Sequence, residues 1–222
     1  MRALAVTPIH LPPEEIRRRQ ARYDRLAPPG LSVELRDVGP AAPGALDDEA
    51  SIRASESEVA AALARAGAGW DLAFPDCVLD PAVPTGPVPT RPVPTGPAPD
   101  RAVPVNGLLR LSSLYLSAMN VRFGAVVRNE AIGAELRRRL TAYGLDAHTA
   151  GIEVLDLPFD AVADAGAWNA ALGAAVDALA AVGATAVING CSAVDVATHR
   201  LAARIVDPTA LALRLMAIGR SA

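Results

Sequence analysis

At 222 residues, with 51% hydrophobic and 20% charged side chains, the chain can bury a sizeable core, either as one α/β domain or as two halves of about 100 residues each. A net charge of -3 and only 4% aromatic residues leave no bulk attraction for nucleic acid or anionic membrane and little material for base stacking. All 21 basic residues are arginine, so the chain has no side-chain amine for Schiff-base chemistry and no Walker-type phosphate lysine.

The first apolar run, Ala3 to Val6, is too short for a signal peptide, and no stretch reaches the length of a membrane span. The expected location is cytoplasmic. Thiols stay reduced there, so Cys77 and Cys191 read as buried or reactive thiols and not as a disulfide. His10, His148 and His199 lie far apart with no ligand spacing, so no metal site is expected.

In chain order, Ala3–Val6 reads as a buried strand ended by Thr7-Pro8. Pro12-Pro13-Glu14-Glu15 opens a helix that runs through the arginines to about Leu26, with proline in the first turn and acids at the positive end of the dipole. Leu31–Leu35 is a second strand, Ser55–Ala66 an alanine-rich helix, and Asp71–Phe74 a third strand ending near Cys77. Residues 81–100 then repeat Val-Pro-Thr-x-Pro three times, a composition that excludes helix and sheet and predicts an extended surface loop. It reads as a lid, a ligand for a proline-recognising partner, or an inert insertion.

Val103–Val105 resembles a strand, Leu108–Met119 a helix and Phe123–Val127 a strand. Helix 131–143 stops at Gly144. Ile152–Leu155 is a strand, 167–182 a long alanine-rich helix, and Thr185–Ile188 a strand after which Cys191 is expected to open a helix. Alternating strands and helices, with most strands continuously apolar, predict parallel sheets covered on both faces.

Two phrases echo each other, Ala62-Leu63-Ala64-Arg65-Ala66-Gly67-Ala68 and Ala178-Leu179-Ala180-Ala181-Val182-Gly183-Ala184. Each leads into a strand that ends at a cysteine, at the carboxyl edge where open α/β sheets build their sites. The stretches Cys77-Val78-Leu79-Asp80-Pro81 and Asn189-Gly190-Cys191-Ser192-Ala193 resemble the two cysteine motifs of the aspartate/glutamate/hydantoin racemase superfamily, closest to hydantoin racemase-like proteins. Pro104-Val105-x-Gly107, Arg122–Val127, Tyr143-Gly144-Leu145 and Val206-Asp207-Pro208 follow in the same order. Thr7-Pro8-Ile9 stands where that family has Asn-Pro-Asn, and Arg128-Asn129 where it has Thr-Thr, which leaves the substrate open.

The resemblance implies two Rossmann-like lobes related by a pseudo-twofold, with an active site in the cleft between them. The expected organisation is a first lobe of residues 1–103 carrying Cys77 and the insertion, a second of 104–205 carrying Cys191, and a helix in 206–222 returning to the first. It also implies a cofactor-independent racemase or epimerase acting on a small molecule with a carbonyl or carboxylate. Cys77 and Cys191 would exchange a proton at an acidic carbon, one entering as thiolate at a helix amino terminus. Thr7, Pro8, Arg128, Asn129, Ser192 and Ala193 are the candidate substrate-binding residues, Arg128 as a carboxylate clamp against the alternative of a solvated charge. Asp80 and Asp207 are expected to cap turns and shape the cleft. Asp76, beside Cys77, would raise its pKa if the side chains met. A maleate isomerase-like or arylmalonate decarboxylase-like reaction, and a non-catalytic scaffold with a partner-recruiting loop, are the alternatives; the assembly state is open.

Overall fold

A computed structural model describes residues 1–67, 69–85, 103–162, 165–196 and 201–219. Most of the proline-rich repeat and His199 lie outside these residues, and the readings of both with them.

The described chain runs β1 (Arg2–Val6), α1 (Pro13–Leu26), β2 (Ser32–Arg36), α2 (Glu49–Ala64), β3 (Leu72–Pro75) and α3 (Leu108–Ala118), followed by β4 (Phe123–Val127), α4 (Glu130–Ala142), β5 (Thr149–Val154), α5 (Ala165–Ala181), β6 (Ala186–Asn189), β7 (Arg204–Val206) and α6 (Pro208–Ile218). Strands pair in parallel as a three-stranded sheet β2-β1-β3 and a four-stranded sheet β5-β4-β6-β7. β3, β4 and β6 are buried along their whole length, as continuous apolar runs in covered parallel sheets must be.

The two sheets repeat one plan. β1 and β4 are central, β2 and β5 flank them on one side, and β3 and β6 on the other. Val105 bridges Ala73 of β3 in parallel, on the strand that corresponds to β6, which pairs with β7. What reads as a strand at Val103–Val105 is therefore reduced to a single bridge. The helices repeat as well. Glu15-Ile16-Arg17-Arg18-Arg19 in α1 corresponds to Glu135-Leu136-Arg137-Arg138-Arg139 in α4, and in each the glutamate pairs with the arginines three and four residues on.

The last helix of each repeat packs across to the other. Leu109 and Leu116 of α3 are buried with Phe123, Ala125, Leu136 and Leu140, although Leu108 turns to the first sheet. Ala212, Leu213 and Met216 of α6 are buried with Ala3, Ala5, Tyr23, Leu72 and Phe74. This exchange ties the lobes together with apolar surface and holds the cleft between two fixed walls.

Three local features depart from the sequence reading. α2 begins at Glu49, six residues before Ser55, because Asp48 accepts from Ser51 N–H while Ser51 closes a reciprocal capping box. β7 is added beside β6. Residues 191–196 are a turn and irregular chain, so Cys191 does not open a helix there.

Gly190 sets that turn. A Cβ on it would overlap the Val126 carbonyl, to which its own N–H donates at 2.7 Å. Gly190→Ala is expected to destabilise by about 1–3 kcal/mol through overpacking. Gly173→Ala, at an α5 position where an added methyl would meet open space, should instead stabilise by about 0.5–1 kcal/mol. Urea midpoints moving in opposite directions would check the pair.

Candidate active site

Cys77 lies two residues beyond the end of β3, and Cys191 two beyond the end of β6. Both line one pocket, together with Pro8, Ile9, Arg19 and Asp76, with Val78, Leu79, Leu46, Ile132, Phe159 and Val162, and with Arg128, Gly190, Ser192 and Ala193. The pocket offers water-sized occupants about 70 Å³ and opens outward. On its other side Cys77 also borders a void of about 10 Å³ lined by Ser55, Glu56, Glu135 and Arg139.

The two walls are joined through Asp76. Its carboxylate is 2% exposed, accepts from Tyr23 Oη at 2.7 Å and pairs with Arg19 Nη1 at 3.2 Å. Its backbone carbonyl accepts from Ser192 Oγ at 2.9 Å, which stitches the residue before one cysteine to the residue after the other. α1 grips the second cysteine loop further. Arg22 Nε donates to Asp195 at 2.9 Å, and Arg22 Nη2 donates to Asp207 at 2.6 Å. A helix whose buried residues are Arg19, Arg22 and Tyr23 is tolerated because each guanidinium meets carboxylates.

Asp80 and Asp207 cap helices. Asp80, at φ +49°, accepts from Leu109 N–H and Arg110 N–H at 3.0 and 2.7 Å and from Tyr143 Oη at 2.9 Å. It thus caps α3, whose own N-cap, Gly107, has no side chain to do so; a Cβ there would collide with the Asp80 carboxylate. Burial pushes the Asp80 carboxyl up to about 6 against those three donors. Asp207 accepts from Thr209 and Ala210 N–H and caps α6.

Burial pushes the Cys77 thiol up to about 12; Leu79 N–H opposes the rise, while Asp76, Asp80 and Cys191 add to it. Burial also raises Cys191, with Ala193 N–H, Arg19 and Arg22 opposing and Asp76 adding. The expectation of a thiolate prepared by a helix amino terminus is thereby corrected. No helix follows Cys191 in the described turn, and desolvation outweighs the donors present. In a Cys191→Ala background, the midpoint of the pH profile for labelling of Cys77 by iodoacetamide should lie well above pH 9.0, where an ordinary thiol is half ionised, toward about 12. The rate profile against pH checks this.

Of the candidate substrate-binding residues, Pro8, Arg128, Ser192 and Ala193 line the pocket, whereas Thr7 and Asn129 do not. Thr7 is fully buried; its hydroxyl donates to Asp37 and accepts from Val38 N–H, so it is spent in the turn after β1. Asn129 caps α4 through Ile132 N–H, and its amide donates to the Leu46 carbonyl. Arg128 is neither solvated nor a free clamp. It is buried and donates to the Leu46 carbonyl at 2.8 Å and to Asp47 at 2.5 Å, with Phe159 against its guanidinium. The Ser192 hydroxyl is committed to Asp76, and Ala193 N–H faces the Cys191 sulfur.

Arg19 is the pocket residue that sequence reasoning passed over. The signal was present in the Glu-x-x-Arg-Arg phrase of α1, which recurs in α4 and places charge on the face that also carries Tyr23. The apolar lining of Leu46, Ile132, Phe159 and Val162 was missed as well, because it is assembled from a loop, the first turn of α4 and a short 3-10 turn that are remote from one another along the chain.

No family model matches the sequence, and no curated protein matches it. Solved structures do match the fold. An allantoin racemase from Klebsiella pneumoniae superposes with a TM-score of 0.73 at 20% identity, covering 99% of this chain and 89% of that one. An allantoin racemase from Pseudomonas fluorescens gives 0.76 at 14% identity, covering 100% and 92%. A glycine-to-cysteine variant of arylmalonate decarboxylase gives 0.54 at 16% identity, covering 100% and 95%. The two-sheet α/β architecture expected from the sequence is the fold of these enzymes.

Proposed function

We propose that the chain is a cofactor-independent racemase or epimerase that inverts a carbon bearing an acidic hydrogen beside a carbonyl, with Cys77 and Cys191 as its proton-transferring groups. The observation that carries this reading is that the two thiols, separated by most of a structural repeat, line a single small pocket between the lobes. Inversion needs a proton removed from one face and another delivered to the opposite face, and groups on two walls meet that demand.

The charges around the thiols divide the work. Cys77 lies with the carboxylates of Asp76 and Asp80 and keeps its proton through the neutral range, which suits it to donate. Cys191 faces Arg19 and Arg22 and is the better placed to lose its proton when a substrate enters. The abstracted proton rests on one sulfur while the other protonates the planar carbanion, and the roles reverse for the opposite hand of substrate.

The lining also bears on what enters. Both guanidiniums at the pocket are already paired, Arg19 with Glu15 and Asp76 and Arg128 with Asp47. The remaining side chains are largely apolar. A compact molecule with a polar carbonyl end and little net charge fits this balance better than a dicarboxylate.

The test is incubation in deuterated water with a panel of hydantoins, amino acids and dicarboxylates, followed by mass and chiral analysis. Deuterium appearing at the stereocentre together with loss of optical purity supports the reading. A protein that binds a compound and leaves its hydrogen in place is a binding module, and activity that survives loss of either cysteine contradicts the two-thiol scheme.

A further inference from the structure

We infer that Arg19 is the side chain that holds the substrate's carbonyl oxygen, donating from Nη2 across the lobe interface to the group that becomes an oxyanion beside Cys191. The inference deepens the racemase reading and rests on it, since it assigns the third function that proton abstraction beside a carbonyl requires.

The case begins with the other donors. Thr7 and Asn129 lie outside the pocket lining and are bonded elsewhere. The Ser192 hydroxyl serves the Asp76 carbonyl, Ala193 N–H serves the Cys191 sulfur, and Arg128 Nη2 serves Leu46 and Asp47. In the Arg19 guanidinium, Nε donates to Glu15 at 2.9 Å and Nη1 to Asp76 at 3.2 Å, and Nη2 has no partner among the described residues.

Nor is that nitrogen sealed away. The buried side-chain polar atoms without partners are Trp168 Nε1, Asn189 Oδ1 and Thr209 Oγ1 among the described residues, and Arg19 Nη2 is not one of them. Arg19 is nonetheless only 5% exposed, and the open space it borders is the pocket that holds both cysteines. Glu15 and Asp76 grip the other two nitrogens, so the guanidinium is held rigid with one edge directed away from its carboxylates. A preorganised, desolvated donor of this kind stabilises negative charge on the oxygen it faces, whether a carboxylate carries that charge or the reaction develops it.

The charged groups facing Cys191 are Arg18, Arg19 and Arg22 from α1 and Asp76 from the turn after β3. An anion bound at Arg19 therefore lies beside the Cys191 sulfur and not in open solvent.

Iodoacetate and iodoacetamide test the assignment without a known substrate. Each alkylates a cysteine by thiolate displacement of iodide, and they differ in whether a carboxylate or a neutral amide accompanies the carbon. Rates at Cys191 and Cys77 are separated by peptide mass mapping. The wild-type protein is expected to favour iodoacetate over iodoacetamide at Cys191 by about tenfold more than a short peptide of residues 188–194 does, the size of one charge-assisted hydrogen bond. Arg19→Gln should remove that preference, and Arg19→Lys should keep part of it. Tyr23→Phe, which removes the other donor to Asp76 and leaves Arg19 in place, should keep all of it.

A wild-type preference no greater than the peptide's overturns the inference, even if Arg19→Gln fails to fold. An unchanged preference in folded Arg19→Gln, or an equal loss in Tyr23→Phe, overturns it as well. A panel that shows no deuterium exchange would count against the racemase reading and leave this ratio untouched.

Discussion

Replacing Cys77 or Cys191 with alanine is expected to lower the rate of inversion by about 10²–10⁴ in each single variant, the contribution of one positioned acid or base. Because both groups serve one proton relay, the double variant should be little worse than either single change. Neither substitution should unfold the protein, since Cys77 is a small side chain in a cluster of aliphatic neighbours and Cys191 is partly exposed at a turn. Thermal melts run beside chiral chromatography separate loss of chemistry from loss of fold. A variant that keeps full activity would show that its cysteine has no part in the reaction. Loss of activity in one variant only would favour a single-thiol protonation, as a decarboxylation would need.

Asp76→Ala is expected to have the largest effect on stability. It removes one of the two carboxylate partners of the Arg19 guanidinium, leaving only Glu15, and leaves the buried Tyr23 hydroxyl without its acceptor. Breaking a buried pair from one side costs about 3–5 kcal/mol, and the Glu15 contact that Arg19 keeps places this variant toward the lower end of that range. Asp76→Asn should cost less, because one oxygen still accepts from Tyr23. The combined Asp76→Leu, Arg19→Met and Tyr23→Phe variant should recover most of the loss, as apolar replacement of a whole buried pair can. Urea unfolding of the set checks the order.

The same substitutions carry a pH signature. Asp76 adds to the rise of both thiols, so Asp76→Asn should move the alkylation profiles of Cys77 and Cys191 toward lower pH. Both thiols stand above their ordinary value in the folded chain. Their contribution to stability is therefore complete below pH 9.0 and is lost as pH rises toward about 12 at Cys77. Alkaline unfolding should consequently weaken when Cys77 is replaced by alanine.

The periodicity of the chain was enough to order the strands and helices, because burial on both faces leaves an apolar run that can be read one residue at a time. β1, β4 and β6 are such runs, and the stop at Gly144, with φ +73°, is a local conformational demand. The placement of each cysteine just beyond a strand was legible for the same reason. The helix expected after Cys191 was not, since residues 191–196 take their shape from Asp76, Arg18 and Arg22 in the other half of the chain.

Thr7 and Asn129 show the limit most directly. Their types suit a binding site, yet each is consumed by neighbours that only the folded chain supplies, Asp37 and Val38 for one and Leu46 for the other. Arg19 is the converse case, an arginine in a run of arginines whose distinction is a partner 57 positions away. By itself the sequence determined the α/β order, the repeat and the two thiols at strand ends, because these follow from backbone pairing and side-chain polarity along short stretches. Tertiary structure alone decided which donors remain unspent at the pocket and how far the thiols hold their protons, because desolvation and charge pairing depend on groups that are near in space and remote along the chain.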